Sequence, residues 1–165
     1  MYTRVLVPLD GSHFSEQALD HAAAMAKRFD ARVTLVLAFE GLDHLAQTLA
    51  VRDGEIDRAV WERVHHSTDE GLAAARAYLE SRADTFTAQG TTVESIVVDA
   101  RQGTPAAVIL AEAERQPGTV IVMSTHGRGG LRRVIFGSSA KTIVETSACP
   151  VLLVRAKDQA GDGAA

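Results

Sequence analysis

Across 165 residues the chain carries one cysteine, four prolines, one tryptophan and two tyrosines, and none of its apolar runs reaches the length of a membrane span. The single thiol, Cys149, has no partner for an internal disulfide and no second cysteine for a CxxC zinc or redox motif, which excludes a disulfide scaffold. Positive charge is also scarce. Seventeen Lys and Arg stand against 21 Asp and Glu, giving a net charge of -4 and a pI near 5.8. A diffuse electrostatic grip on nucleic acid is therefore not expected, and any anion site must be local. The first apolar run, Val5 to Leu9, is too short for a leader and contains Pro8, so it reads as a strand. A cytoplasmic protein without membrane association is the expectation. What is present is a globular balance of 46% hydrophobic and 23% charged residues, with a mean hydropathy of +0.02. A chain of this size can bury about 70% of its unfolded surface, enough for one domain over residues 1–156, with 157–165 as a polar tail that frays.

Five short, nearly continuous apolar runs read as strands buried on both faces: Val5 to Leu9, Val33 to Phe39, Thr92 to Val98, Val120 to Ser124 and Val151 to Val154. Between the first two, Phe14, Ala18, Ala22, Met25 and Phe29 form one helical stripe that Ser12 can cap. Between the second and third, the steps from Trp61 and Val64 through Leu72, Ala75, Leu79 and Phe86 suit one long helix, preceded by an acidic stretch from Glu40 that reads as a solvated entry to that helix, with a lid over a ligand as the alternative. Gly103-Thr104-Pro105 supplies a turn, an N-cap and a proline at the first helical position, with Val108, Ile109 and Ala113 inward, and Pro117-Gly118 stops that helix. The last helix spans about Ser138 to Thr146 with Ala140, Ile143 and Val144 inward. Strict alternation with short turns predicts an α/β fold, an open five-stranded parallel sheet with helices on both faces. Ligands bind such sheets outside the carboxyl ends of the strands where the strand order reverses, so the residues after strands one and four matter most.

Strand one ends in Pro8-Leu9-Asp10-Gly11-Ser12, and strand four in Ser124-Thr125-His126-Gly127-Arg128-Gly129-Gly130, followed by Gly137-Ser138-Ser139. Glycines at 127, 129 and 130 let the backbone approach a ligand, and a run of exposed amides there makes an anion-binding concavity. Gly137-Ser138-Ser139 opens a helix whose first amides lack helical partners and lie at the positive end of the dipole. From Ser124 through Val144 there are three arginines and Lys141 but no Asp or Glu. Taken singly, these glycines are an ordinary turn and Ser138 an ordinary cap; together they pinch one polyphosphate. No Gly-Lys-Ser/Thr follows the loop, and no Gly-x-Gly-x-x-Gly joins the first strand to the first helix, so neither a Walker A nor a dinucleotide loop is present.

Ser124-Thr125-His126-Gly127, nine residues, then Gly137-Ser138 closely resembles the ATP-binding signature of the universal stress protein (UspA) family, Gly-x-x-Gly, nine residues, Gly-Ser/Thr. The resemblance extends to Val5-Leu6-Val7-Pro8-Leu9-Asp10-Gly11-Ser12 at the start and Ala148-Cys149-Pro150-Val151-Leu152-Leu153-Val154 at the end. It implies a Rossmann-like sheet of the adenine nucleotide α-hydrolase type with strand order 3-2-1-4-5. It also implies that Asp10 holds ribose hydroxyls, that Pro8, Leu9, Ala38 and Met123 line the adenine slot, and that Gly127, Arg128, Gly129, Gly137, Ser138 and Ser139 take the phosphates. Asp10 has a local alternative, an Asx turn or helix cap. The signature's first glycine is Ser124 here; if that position has positive φ, its Cβ costs about 1 kcal/mol and narrows the slot.

The expected function is that of a regulatory module of the stress response that binds ATP, or AMP or ADP, with or without Mg²⁺, and hydrolyses it slowly at most. No nucleophile and base pair is recognisable and no catalytic residue is assigned. The six histidines have no metal-ligand spacing, and no protein metal site is expected. His126 reads as a loop hydrogen-bonding group. The family resemblance further implies a homodimer through the last strand, an edge that needs cover, and an unidentified protein partner. Two alternatives stand beside this reading: a dimeric adaptor without nucleotide, and an adenine-nucleotide hydrolase-like enzyme, whose usual Ser-Gly-Gly-x-Asp-Ser and His-x-Gly-His motifs are absent.

Overall fold

The structure is a computed structural model and describes residues 1–39, 68–100, 103–125 and 137–156. Five strands, β1 (Arg4–Leu9), β2 (Arg32–Phe39), β3 (Val93–Asp99), β4 (Thr119–Thr125) and β5 (Val151–Arg155), form one sheet in the order β3-β2-β1-β4-β5. Every pairing is parallel. The described helices are α1 (His13–Glu16), α2 (Leu19–Phe29), α3 (Thr68–Thr87), α4 (Pro105–Glu114) and α5 (Ser138–Thr146).

Strand side chains alternate between faces, so each inner strand feeds two cores. Val5, Val7 and Leu9 join Val33, Leu35, Ala22, Ala26, Leu79 and Phe86 under α2 and α3. Leu6, Val36, Ile121 and Met123 join Ala106, Ile109, Ala140 and Ile143 under α4 and α5. The three central strands are buried on both faces as expected. The outer two are not: β3 exposes Glu94, Ser95 and Asp99, and β5 exposes Leu152, because an edge strand has neighbours on one side only.

Local chemistry accounts for the helix ends. Thr104 Oγ1 accepts from the amide of Ala107 at the start of α4, with Pro105 next to it. Asp30 closes α2 in the left-handed region at φ 52°. The stripe from Phe14 to Phe29, read as one helix, is two. Ser12 does cap the first, accepting from the Ser15 amide at 3.1 Å. The Ser15 hydroxyl then donates back to the Ser12 carbonyl, and the amides of Gln17 and Ala18 reach three residues back to Phe14 and Ser15, which tightens and ends α1. Val144, expected inward, is exposed on α5. Trp61 and Val64 lie outside the described residues, as do residues 40–67 of the acidic stretch that runs to Glu70 and the tail from 157.

A second difference lies at the amino end of the sheet. Arg4 and Glu112, neither singled out in the sequence, form a buried ion pair at 2.7 Å. Arg4 Nε also donates to Thr34 Oγ1 and Nη1 to the Glu112 carbonyl, while Arg115 reaches the other Glu112 oxygen. The group thus ties β1 and β2 to α4 with its donors and acceptors met.

Candidate functional site

The ladder between β1 and β4 runs only through Arg4–Thr119, Val5–Val120 and Leu6–Ile121, although β1 continues to Leu9 and β4 to Thr125. Pro8 has no N–H to offer a neighbour. From Leu6 onward these two strands part, and this is where the strand order reverses. Crossovers from β1 lead to one side and those from β4 to the other, so a crevice opens at the carboxyl ends. It holds a cavity of about 590 Å³, within the range of small-molecule sites.

Nine expected ligand residues lie among the described ones, and the cavity brings all of them together: Pro8, Leu9 and Asp10 from β1 and the turn after it, Ala38 from β2, Met123 and Ser124 from β4, and Gly137, Ser138 and Ser139 at the start of α5. Gly127, Arg128 and Gly129 lie outside the described residues, as does His126. Sequence reading missed the contribution of α4. Thr104, Pro105, Ala106 and Ile109 also line the cavity, and the available signal was their place directly after strand three, the same end of the sheet.

The walls are mostly apolar, with Leu9, Leu37, Ile109 and Met123 on them, and Asp10 is the one charged residue among the described lining. Asp10 Oδ1 accepts from the Ser12 amide at 2.9 Å and the Ser12 hydroxyl at 2.6 Å. The local Asx turn is therefore real, and Gly11 completes it at φ 82°. It uses one oxygen; among the described residues Oδ2 accepts no hydrogen bond, so the carboxylate keeps acceptor capacity. At α5 the first helical bond runs from the Lys141 amide to the Gly137 carbonyl, leaving the amides of the first turn without helical acceptors beside the Ser138 and Ser139 hydroxyls.

Ser124 corrects an expectation. It sits within β4 in extended backbone, and Asp30 is the described non-glycine residue with positive φ, so the strain anticipated for a Cβ at 124 does not arise. Its hydroxyl donates to the Phe14 carbonyl of α1 at 2.5 Å. Cys149 lies at the opposite end of the sheet, where its thiol donates to the Ala113 carbonyl at 3.7 Å. Burial first, then the Glu114 carboxylate, push that thiol above its ordinary value, against a smaller pull from Arg4, so it stays protonated at neutral pH. Among the described residues no group of three or more His, Cys, Asp or Glu side chains is placed to hold a metal, and no helix is long and apolar enough to cross a membrane.

The sequence model of the universal stress protein family matches residues 1–155. The chain belongs to the universal stress protein family. A universal stress protein of Methanocaldococcus jannaschii is 28% identical over 155 residues, spanning 94% of this chain and 83% of that protein. Among solved structures, the hypothetical protein MJ0577 superposes with a TM-score of 0.69 at 26% identity, over 96% of this chain and 99% of that one. Two further family structures share the fold at 20% identity and a TM-score of 0.62. One is a universal stress protein in complex with cAMP, matched over 94% of this chain and 98% of its own. The other is the Archaeoglobus fulgidus protein in complex with dAMP, matched over 92% and 97%.

Proposed function

We propose that this universal stress protein binds one adenine nucleotide, ATP or a shorter relative, in the crevice between β1 and β4, and acts as a regulatory module with slow hydrolysis at most. The observation that carries the reading is the meeting of residues from β1, β2, β4 and α5, from Pro8 to Ser139 in the chain, around one cavity at the switch point. The complexes of family structures with cAMP and dAMP support the same ligand class.

The residues suit such a ligand. Leu9, Ala38 and Met123 offer an apolar slot for a base, where burying a planar ring is favourable. Asp10 Oδ2 accepts from a ribose hydroxyl while Oδ1 remains in its turn. The first amides of α5 and the hydroxyls of Ser138 and Ser139 meet phosphate oxygens. Gly127, Arg128 and Gly129 complete the phosphate contacts in this proposal, with Mg²⁺ as an optional companion of the phosphates. No described lining residue is a cation, so the nucleoside half of the ligand dominates the described part of the site. The adaptor alternative has the Ser124 side chain closing the slot; Ser124 carries no positive-φ strain and lines an open cavity, which supports the nucleotide reading over it. A homodimer through β5 belongs to the same proposal, because β5 is an edge whose Leu152, with Val144 of α5, presents apolar surface to solvent.

Calorimetric titration with ATP tests the site. Wild type binds one equivalent, and Asp10→Ala weakens binding by about tenfold or more, the usual size for a hydrogen bond to a charged group. Equal affinity of the two proteins removes Asp10 from the site; absence of binding by wild type at millimolar ATP overturns the reading.

A further inference from the structure

The part of the chain that carries Asp10 is held in place by contacts from distant elements. α1 has four residues and no buried side chain, and a single helical turn is not stable alone. Two tethers fix it. On one side Glu16 Oε1 accepts from the Tyr78 hydroxyl at 2.9 Å and from Arg82 Nε at 2.8 Å, both on α3. On the other, the Ser124 hydroxyl of β4 donates to the Phe14 carbonyl. This second tether spans the opening where the β1–β4 ladder has stopped. Its carbonyl sits in the same turn whose cap, Ser12, grips Asp10 Oδ1 through both its amide and its hydroxyl, and whose Ser15 amide is bonded to Ser12 in turn. The Asp10 amide closes the loop on the Ser15 hydroxyl at 3.4 Å.

We propose that Ser124 is a positioning residue: through Phe14 it anchors α1, and through the Ser12 turn it sets the Asp10 carboxylate for the ligand's hydroxyl groups. The inference rests on the nucleotide reading for its effect on binding but not for the tether itself. It gives the serine, at a position where the family signature has glycine, a task that glycine cannot perform, since glycine has no side-chain donor. It also makes the contribution selective. Loosening α1 weakens contacts made by Asp10 and leaves the apolar slot of Leu9, Ala38 and Met123 in place.

Two measurements on Ser124→Ala and Ser124→Thr test this. In the ligand-free protein, hydrogen exchange at the Ser12 and Ser15 amides quickens in Ser124→Ala, while the amides of β1 and β2 do not change; Ser124→Thr, which keeps the hydroxyl, restores protection. In calorimetry, Ser124→Ala binds ATP about fivefold more weakly, the equivalent of one net hydrogen bond, and binds 2′,3′-dideoxy-ATP as wild type does, with Ser124→Thr again restoring ATP affinity. Unchanged exchange at Ser12 and Ser15 in Ser124→Ala overturns the tether. Equal weakening of both nucleotides, or of neither, overturns the positioning of Asp10. If wild type binds neither nucleotide, the functional reading falls, and the exchange data alone decide whether Ser124 holds α1.

Discussion

At the scale of single residues, Gly137 separates a requirement of the fold from a requirement of the ligand. It is the N-cap of α5 with φ −61° and ψ 156°, a conformation open to any residue, and a Cβ built on it meets nothing within 4 Å. Its backbone therefore has no need of glycine. Gly137 lines the cavity. Gly137→Ala is expected to cost no more than about 1 kcal/mol of thermal stability, the usual penalty of alanine at an N-cap, and to weaken ATP binding by adding a methyl group to the lining beside the first-turn amides. Thermal unfolding with and without ATP checks both parts; a large loss of stability without ligand contradicts the assignment. Gly118 is the contrast. It has φ +77°, and a Cβ there would lie 2.8 Å from Thr3 Oγ1, so this glycine serves the turn before β4.

At the scale of elements, α4 works at both of its ends. Its first turn lines the cavity, and Glu112 near its last turn receives Arg4 in the core. Removing one partner of a buried ion pair leaves the other uncompensated, so Glu112→Ala is expected to cost about 3–5 kcal/mol, read by urea denaturation; a cost below about 1 kcal/mol contradicts the account of that pair. The sequence made α4 legible through Thr104-Pro105 and its end near Pro117-Gly118, and it made the central strands legible through continuous apolar runs. It could not disclose the Glu112 burial, because the compensating arginine is 108 residues away and looks like the polar start of a strand. The break between α1 and α2 was hidden for the opposite reason. Ser15 fits a helical pattern by spacing, yet its hydroxyl turns back to the Ser12 carbonyl and competes with the helix. The inward placement of Val144 failed because α5 covers the sheet beside an edge strand, where one flank of the helix has nothing to pack against.

At the scale of the whole molecule, the site follows from topology. A sheet ordered β3-β2-β1-β4-β5 must open at β1 and β4, and residues far apart in the chain meet there: Asp10 comes from the first crossover, Thr104 from the third and Ser138 from the fourth. That much was legible, since alternation of strands and helices predicts the crevice and the residues flanking it. The contribution of Ser124 was not, because its partner is a main-chain carbonyl 110 residues earlier in the chain, and a backbone acceptor leaves no mark in a sequence. The mostly apolar described lining, without a cation in it, agrees with the proposal that the base and sugar of the nucleotide make most of its contacts to the described residues.

Native mass spectrometry of the purified protein, alone and after addition of ATP with Mg²⁺, tests adenine-nucleotide binding most directly, because it weighs the ligand on the assembled protein. A dimer carrying one adenine nucleotide per chain is expected, with Asp10→Ala needing about tenfold more ATP for the same occupancy. A protein that retains no nucleotide mass at saturating ATP, in either its monomeric or its dimeric form, would contradict it.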